Sequence, residues 1–122
     1  MAAFNKVLLM GNLTRDPEAR SMPSGTRVTG FTLAVNRKYR TQDNELKDDT
    51  LFIDIEAFGQ QAELIERHCS KGSPLFVEGR LRLEKWKTAT GENRSKISVM
   101  LENFQFISPP AADAAKGEDK AF

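Results

Sequence analysis

Hydrophobic residues recur at every second position through most of this chain, and that alternation predicts strands. In Pro74–Lys87 (PLFVEGRLRLEKWK), Leu75, Val77, Gly79, Leu81 and Leu83 fall on one side. Phe76, Glu78, Arg80, Arg82, Glu84 and Trp86 fall on the other. Thr50–Phe58 divides the same way, with Leu51, Ile53, Ile55 and Ala57 on a core face opposite Phe52, Asp54, Glu56 and Phe58. Thr26–Tyr39 predicts a long strand rich in Thr, Val and Phe, and Gly30 in its middle predicts a bend or bulge. Lys96–Ile107 predicts a last strand with Ile97, Val99 and Leu101 inward. Lys6–Met10 breaks the pattern by being apolar on both parities, which predicts a strand covered on both faces, either centrally or by another subunit.

One segment changes period. In Gln60–Cys69, Ala62, Ile65 and Cys69 make a single stripe with Leu64 and His68 at its edges, and Lys71, Gly72 and Pro74 supply the stop of a helix. Arg15-Asp16-Pro17 and Met22-Pro23-Ser24-Gly25 predict turns joined by an irregular connection. Thr41–Asp49 is polar throughout and reads as a mobile loop, and Thr88–Ser95 as a hairpin tip. Three strands, a helix and two strands is the order of a five-stranded Greek-key barrel, the OB-fold: all-β with one helix between strands 3 and 4. That domain is expected to span residues 1–108. Residues 109–122 have no periodicity and read as a short disordered tail.

Composition narrows the function. A chain of 122 residues suits one domain, and 39% hydrophobic with 29% charged residues describes a soluble globular protein. No apolar run approaches the roughly 18 residues that span a bilayer, and no signal-peptide core follows Met1. The single cysteine, Cys69, predicts a reducing compartment, and one cysteine with one histidine excludes a Cys/His zinc site. The net charge of +1 comes from +2 over residues 1–108 and −1 over the rest, so any positive surface must be a local patch.

Candidate chemistry lies on the charged parities. Tyr39, Phe52, Phe58 and Trp86 sit among polar neighbours, with Lys38, Arg40, Arg80, Arg82, Lys85 and Lys87 nearby. Rings stack on bases and cations pair with phosphates, so this mixture suits a single-stranded nucleic acid. Against it stand plain core packing for Phe52 and Phe58, and a Trp86 packed under a hairpin or at a subunit interface. Asp54 and Glu56, two residues apart on one face, are better explained by salt bridges to strand arginines than by catalysis. His68 suits a helix end, and Cys69 a small core position. No phosphate loop or nucleophile elbow is present, so no catalytic residue, metal site or cofactor is expected.

The segments NKVLLMGNLTRDPEAR at 5–20, MPSG at 22–25, FGQQAE at 58–63 and KGSPLFVEGRLRLEKW at 71–86 together resemble bacterial single-stranded DNA-binding proteins over about residues 3–108. The resemblance implies an OB-fold, a homotetramer, sequence-independent coating of single-stranded DNA in replication, recombination and repair, no enzymatic activity, and a place in the bacterial cytoplasm with the nucleoid. By position, Trp86 and Phe58 match stacking residues of the family, and Tyr39 and Phe52 fall where many members have Trp. Arg20, Lys71, Arg82 and Lys85 match basic positions of the binding surface, joined from the residue reading by Lys38 and Arg40. Glu84 falls where a basic residue is frequent. The tail departs from the family's long linker and Ile-Pro-Phe tip: Phe122, with Glu118 and Asp119, is the remnant that would dock replication and repair proteins. Two alternatives remain open beside this reading, a primosome-type OB accessory protein acting mainly through protein contacts, and an RNA-binding OB module.

Overall fold

The alternating segments join into a single sheet that closes on itself. The computed structural model describes residues 1–107; the tail expected at 109–122, with Phe122, lies outside the described residues. The chain runs β1 (Val7–Leu13), β2 (Glu18–Ser21), β3 (Arg27–Arg40), β4 (Leu46–Phe58), α1 (Gly59–His68), β5 (Pro74–Lys87) and β6 (Asn93–Phe106). Strand order is β1-β5-β6-β4-β3-β2, and β1 also pairs with β3 through Asn12–Ala34 and Leu13–Leu33. The five strands β1, β5, β6, β4 and β3 thus form a closed barrel, the expected OB-fold, with the short β2 added beside β3. One join, β4 to β6 at Ile55–Val99 and Glu56–Met100, is parallel; the rest are antiparallel.

The core is built by the predicted parities. Phe31 and Leu33 from β3, Ile55 and Ala57 from β4, Leu75 and Val77 from β5, and Val99 and Leu101 from β6 converge inside. The helix adds Ala62 and Ile65, and Cys69 joins them from the C-cap, where its N–H donates to the Ile65 carbonyl. Fully burying each of the larger aliphatic or aromatic side chains stabilises the fold by about 1.5–3 kcal/mol.

Three expectations are corrected. Leu51, Leu81, Leu83 and Ile97 share the core parity but are 42–55% exposed. The barrel wall ends near Ile53, Gly79 and Val99; beyond it the strands run on as two-stranded arms with nothing beneath them. The segment at 41–49 is a tight turn rather than a loop: Asn44 has φ 64, the Thr41 N–H donates to the Glu45 carbonyl, and β4 begins at Leu46. Register explains this, because Arg37 faces Asp49 and Lys38 faces Asp48 across the ribbon, and opposite charges stabilise such pairs. Gly30 sits in unbroken register between β2 and β4. The irregularity is instead in the β5–β6 ladder: Glu78 faces Asn103 and Gly79 faces Leu101, so Glu102 of β6 is the extra residue.

The two glycines at strand contacts, Gly11 and Gly79, allow that closure. A methyl group on Gly11 would collide with the Ala34 carbonyl oxygen and stand 3.1 Å from Val35 Cγ2. On Gly79 it would collide with the Met100 carbonyl and stand 2.9 Å from Val99 Cγ1. Both are places where backbone presses on backbone.

Candidate nucleic-acid interface

Cross-strand register places one set of side chains on a common outer face. Along β4, Phe52, Asp54, Glu56 and Phe58 stand opposite Ala34, Thr32, Gly30 and Val28 of β3. Along β5, Arg82, Glu84 and Trp86 stand opposite Ser98, Lys96 and Arg94 of β6. Ion pairs tie the two ribbons and β2 together. Glu56 accepts from Arg20 Nη2 at 2.7 Å through Oε2 and from Arg82 Nη2 at 2.5 Å through Oε1. Asp54 accepts from Lys96 Nζ at 2.7 Å and from Thr32 Oγ1 at 2.7 Å.

Phe52 is 64% exposed and Trp86 47%, while Phe58 is half-buried. Two rings therefore present open faces on a sheet whose other groups are charged, an arrangement that burial alone does not reward. Burial pushes the Glu56 carboxyl up, but the hydrogen bonds from Arg20 and Arg82 outweigh it and hold the group below the usual glutamate value. Lys96, then Thr32, hold Asp54 below its usual value against the opposing effect of burial. Both are therefore carboxylates at neutral pH, set among cations.

The remaining expected residues are placed less uniformly. Tyr39 is exposed but faces Lys47, on the opposite parity from Phe52, and the Arg37 guanidinium lies over its ring at 4.9 Å. Lys38 shares the parity of Phe52 further along the arm, facing Asp48; Arg40 donates to the Asn44 carbonyl at the arm's turn. Lys85 is exposed on the parity opposite Trp86, facing Ser95. Lys71 lies away from this face, between α1 and β5, where its N–H donates to Asp16 Oδ1. Arg80 turns to Glu102 and to Met100 Sδ rather than to the rings. Glu56 does pair with two arginines, whereas Asp54 takes a lysine.

Register adds two residues that the sequence alone does not single out. Arg94 faces Trp86, and Lys96 faces Glu84 while holding Asp54. Both lie in or beside the polar tip of a hairpin, and only the β5–β6 pairing reveals their neighbours. Among the described residues no group of three or more His, Cys, Asp or Glu side chains is arranged to hold a metal, and no helix is long and apolar enough to cross a membrane.

Comparison with known proteins agrees with this geometry. A single-stranded DNA-binding protein of Wolinella succinogenes is 42% identical over 118 residues, covering 95% of this chain and 73% of the relative. One from Aquifex aeolicus is 40% identical over 117 residues, covering 96% of this chain and 79% of the relative. The structure of a Plasmodium falciparum SSB complex with ssDNA superposes with a TM-score of 0.82 at 27% identity, covering 88% of this chain and 98% of that one. Residues 4–107 match the model of the single-strand binding protein family, and the chain belongs to that family.

Proposed function

We propose that this protein binds and coats single-stranded DNA without regard to base sequence, serving replication, recombination and repair as a non-enzymatic protein of the bacterial cytoplasm and nucleoid. The observation that carries the reading is the coexistence of rings and cations on one barrel face: the open Phe52 and Trp86 and the half-buried Phe58 with Arg20, Arg82, Arg94 and Lys96. Rings stack on any base, because every base has a face, and cations follow the phosphate backbone. Lys38 and Arg40 extend this surface along the β3–β4 arm, while Tyr39 and Lys85 on the reverse sides of the arms and Lys71 around the barrel would meet a strand that wraps past the face. Relatives whose names describe single-stranded DNA binding support the same reading.

The working unit in this reading is a homotetramer. Its support is the exposed β1 surface: Leu8 and Met10 are exposed, and β1 meets β3 only at Asn12 and Leu13, leaving the edge of Val7–Gly11 unpaired among the described residues. An apolar edge of that kind is stabilised by pairing with another strand. Residues 1–108 would then be the DNA-binding unit, with Phe122 at the tail's tip a contact for replication and repair proteins.

Titration of oligo-dT into the protein, followed by Trp86 fluorescence at low and high salt, tests the function. Quenching that weakens as salt rises is expected. No quenching, with the oligomer intact, would make Trp86 structural and favour a module that acts through protein contacts.

A further inference from the structure

The binding face carries its own anions. Glu56 and Asp54 lie at the centre of the outer sheet face, between the aromatic positions Phe52 and Phe58 of the same strand. Glu56 divides its two oxygens between Arg20 and Arg82, and its side chain is only 17% exposed, so it is set into the face rather than waving above it. Glu84 stands 3.7 Å from the same Arg82 nitrogen. Asp54 holds Lys96. Three cations that would otherwise face a phosphate backbone are therefore already occupied by carboxylates from their own chain. Arg82 is also incompletely satisfied: its buried Nε–H has no hydrogen-bond partner among the described residues.

We propose that Glu56 and Asp54 act as built-in competitors of DNA phosphate, holding Arg20, Arg82 and Lys96 in an occupied state that a bound strand must displace, and so setting the affinity of the face well below what its cations could provide. This rests on the single-strand-binding function proposed above. Its physical basis is that a phosphate and a carboxylate recognise a guanidinium through the same paired N–H donors. An arginine held by Glu56 offers a phosphate only what remains after that bond is broken. The carboxylate left behind must then take up a cation or a proton, which subtracts from the counterions released by the DNA. The remaining charged groups around this cluster, Arg15 and Glu18, have partners of their own in each other at 4.0 Å.

The test compares Glu56→Gln and Asp54→Asn with the parent chain, each binding oligo-dT across a salt series. Each substitution keeps the side-chain shape and removes the charge. For single strands each phosphate neutralised contributes about −0.7 to the slope of log affinity against log salt. Releasing one or both arginines from Glu56 is therefore expected to steepen the slope by about 0.7–1.4. Between 1 M and 0.1 M salt that is a gain over the parent of about fivefold for one contact and about 25-fold for two. Asp54→Asn, which frees only Lys96, is expected to give the single-contact value. Unchanged or weaker binding by folded variants would overturn the proposal and make the carboxylates positioning residues for the arginines. If neither variant folds, the carboxylates are structural and the proposal falls as well. Failure of the parent chain to bind oligo-dT at all would refute the proposed function itself, and the parent titration alone reveals it.

Discussion

Substituting Gly79 by alanine tests the account of barrel closure more sharply than any core truncation. The added methyl would meet the Met100 carbonyl oxygen head-on, with its carbon 3.1 Å away and Val99 Cγ1 at 2.9 Å. Two of those three atoms are backbone of the paired strand β6, so no rotamer change relieves the overlap; β5 and β6 must move apart at the irregularity between Glu78 and Gly79. Overpacking of this kind costs about 1–3 kcal/mol. Loosening one ladder hydrogen bond adds about 1 kcal/mol. Against this, losing a glycine from the unfolded chain returns about 0.4–1 kcal/mol. The balance is a loss of about 1–3.6 kcal/mol. Gly30→Ala is the matched control: it also lies within a strand, but the nearest heavy atom to its methyl is Arg20 Nη1 at 4.0 Å. Only the unfolded-state term survives there, and a change between zero and about 1 kcal/mol of stabilisation is expected. Urea unfolding of both variants at one fixed protein concentration measures the difference, which is meaningful if the slopes against denaturant match that of the parent. Equal stabilities for the two alanine variants would refute the claim that backbone contact, rather than strand position, dictates glycine in this barrel.

Trp86→Ala is expected to weaken oligo-dT binding by about 1–3 kcal/mol, a range established for base stacking in single-strand-binding proteins as a class rather than worked out for this chain. Its stability should change little, since the ring is half exposed, and a matching loss in the unfolding midpoint would mean that the ring is structural. Leu8→Asp places a charge on the exposed apolar edge of β1 and is expected to lower the mass seen by light scattering from that of four chains; an unchanged tetramer would move the interface elsewhere. Asp54 and Glu56 are held below their ordinary values in the folded chain, so the unfolded chain binds their protons first as pH falls. Their stabilisation is complete above about pH 5 and is lost as pH falls through their lowered folded-state values. Unfolding midpoints should therefore fall less steeply below that pH in the Asp54→Asn, Glu56→Gln double variant than in the parent; parallel curves would remove both groups from the account.

Much of the barrel was legible from local pattern because its core obeys a local rule. Phe31, Leu33, Ile55, Ala57 and Val99 point inward as alternation requires, and the helical stripe at Ala62, Ile65 and Cys69 seals the core. Parity says which way a side chain points but not whether anything stands there to cover it. Leu81 and Leu83 follow the same rule as Leu75 and Val77, yet lie past the end of the wall. The segment at 41–49 misled for a related reason: it has nothing to bury, and what orders it is a partner strand whose charges face its own. Gly30 and Gly79 are alike in sequence and differ only in which backbone lies beside them. At the site, Phe52, Phe58 and Trp86 could be read as rings on a charged parity, whereas Tyr39 falls on the other side of its ribbon, and the placing of Lys96 and Arg94 depends on a register that no single strand encodes.

The arms have a consequence for how this architecture can change in length. Each is a two-stranded ribbon whose outer residues touch no core, so shortening one removes surface without opening a cavity. The rise along a strand is about 3.4 Å per residue, and side chains change face at every step. Deleting two residues from each strand of the β5–β6 arm would draw its tip in by about 7 Å and leave every remaining ring and cation facing as before. Deleting one from each would turn Trp86 to the opposite side. The reach of the protein along a nucleic acid is thus adjustable in discrete, even-numbered steps, and lineages or designs that vary it should do so by pairs of residues while the barrel stays constant.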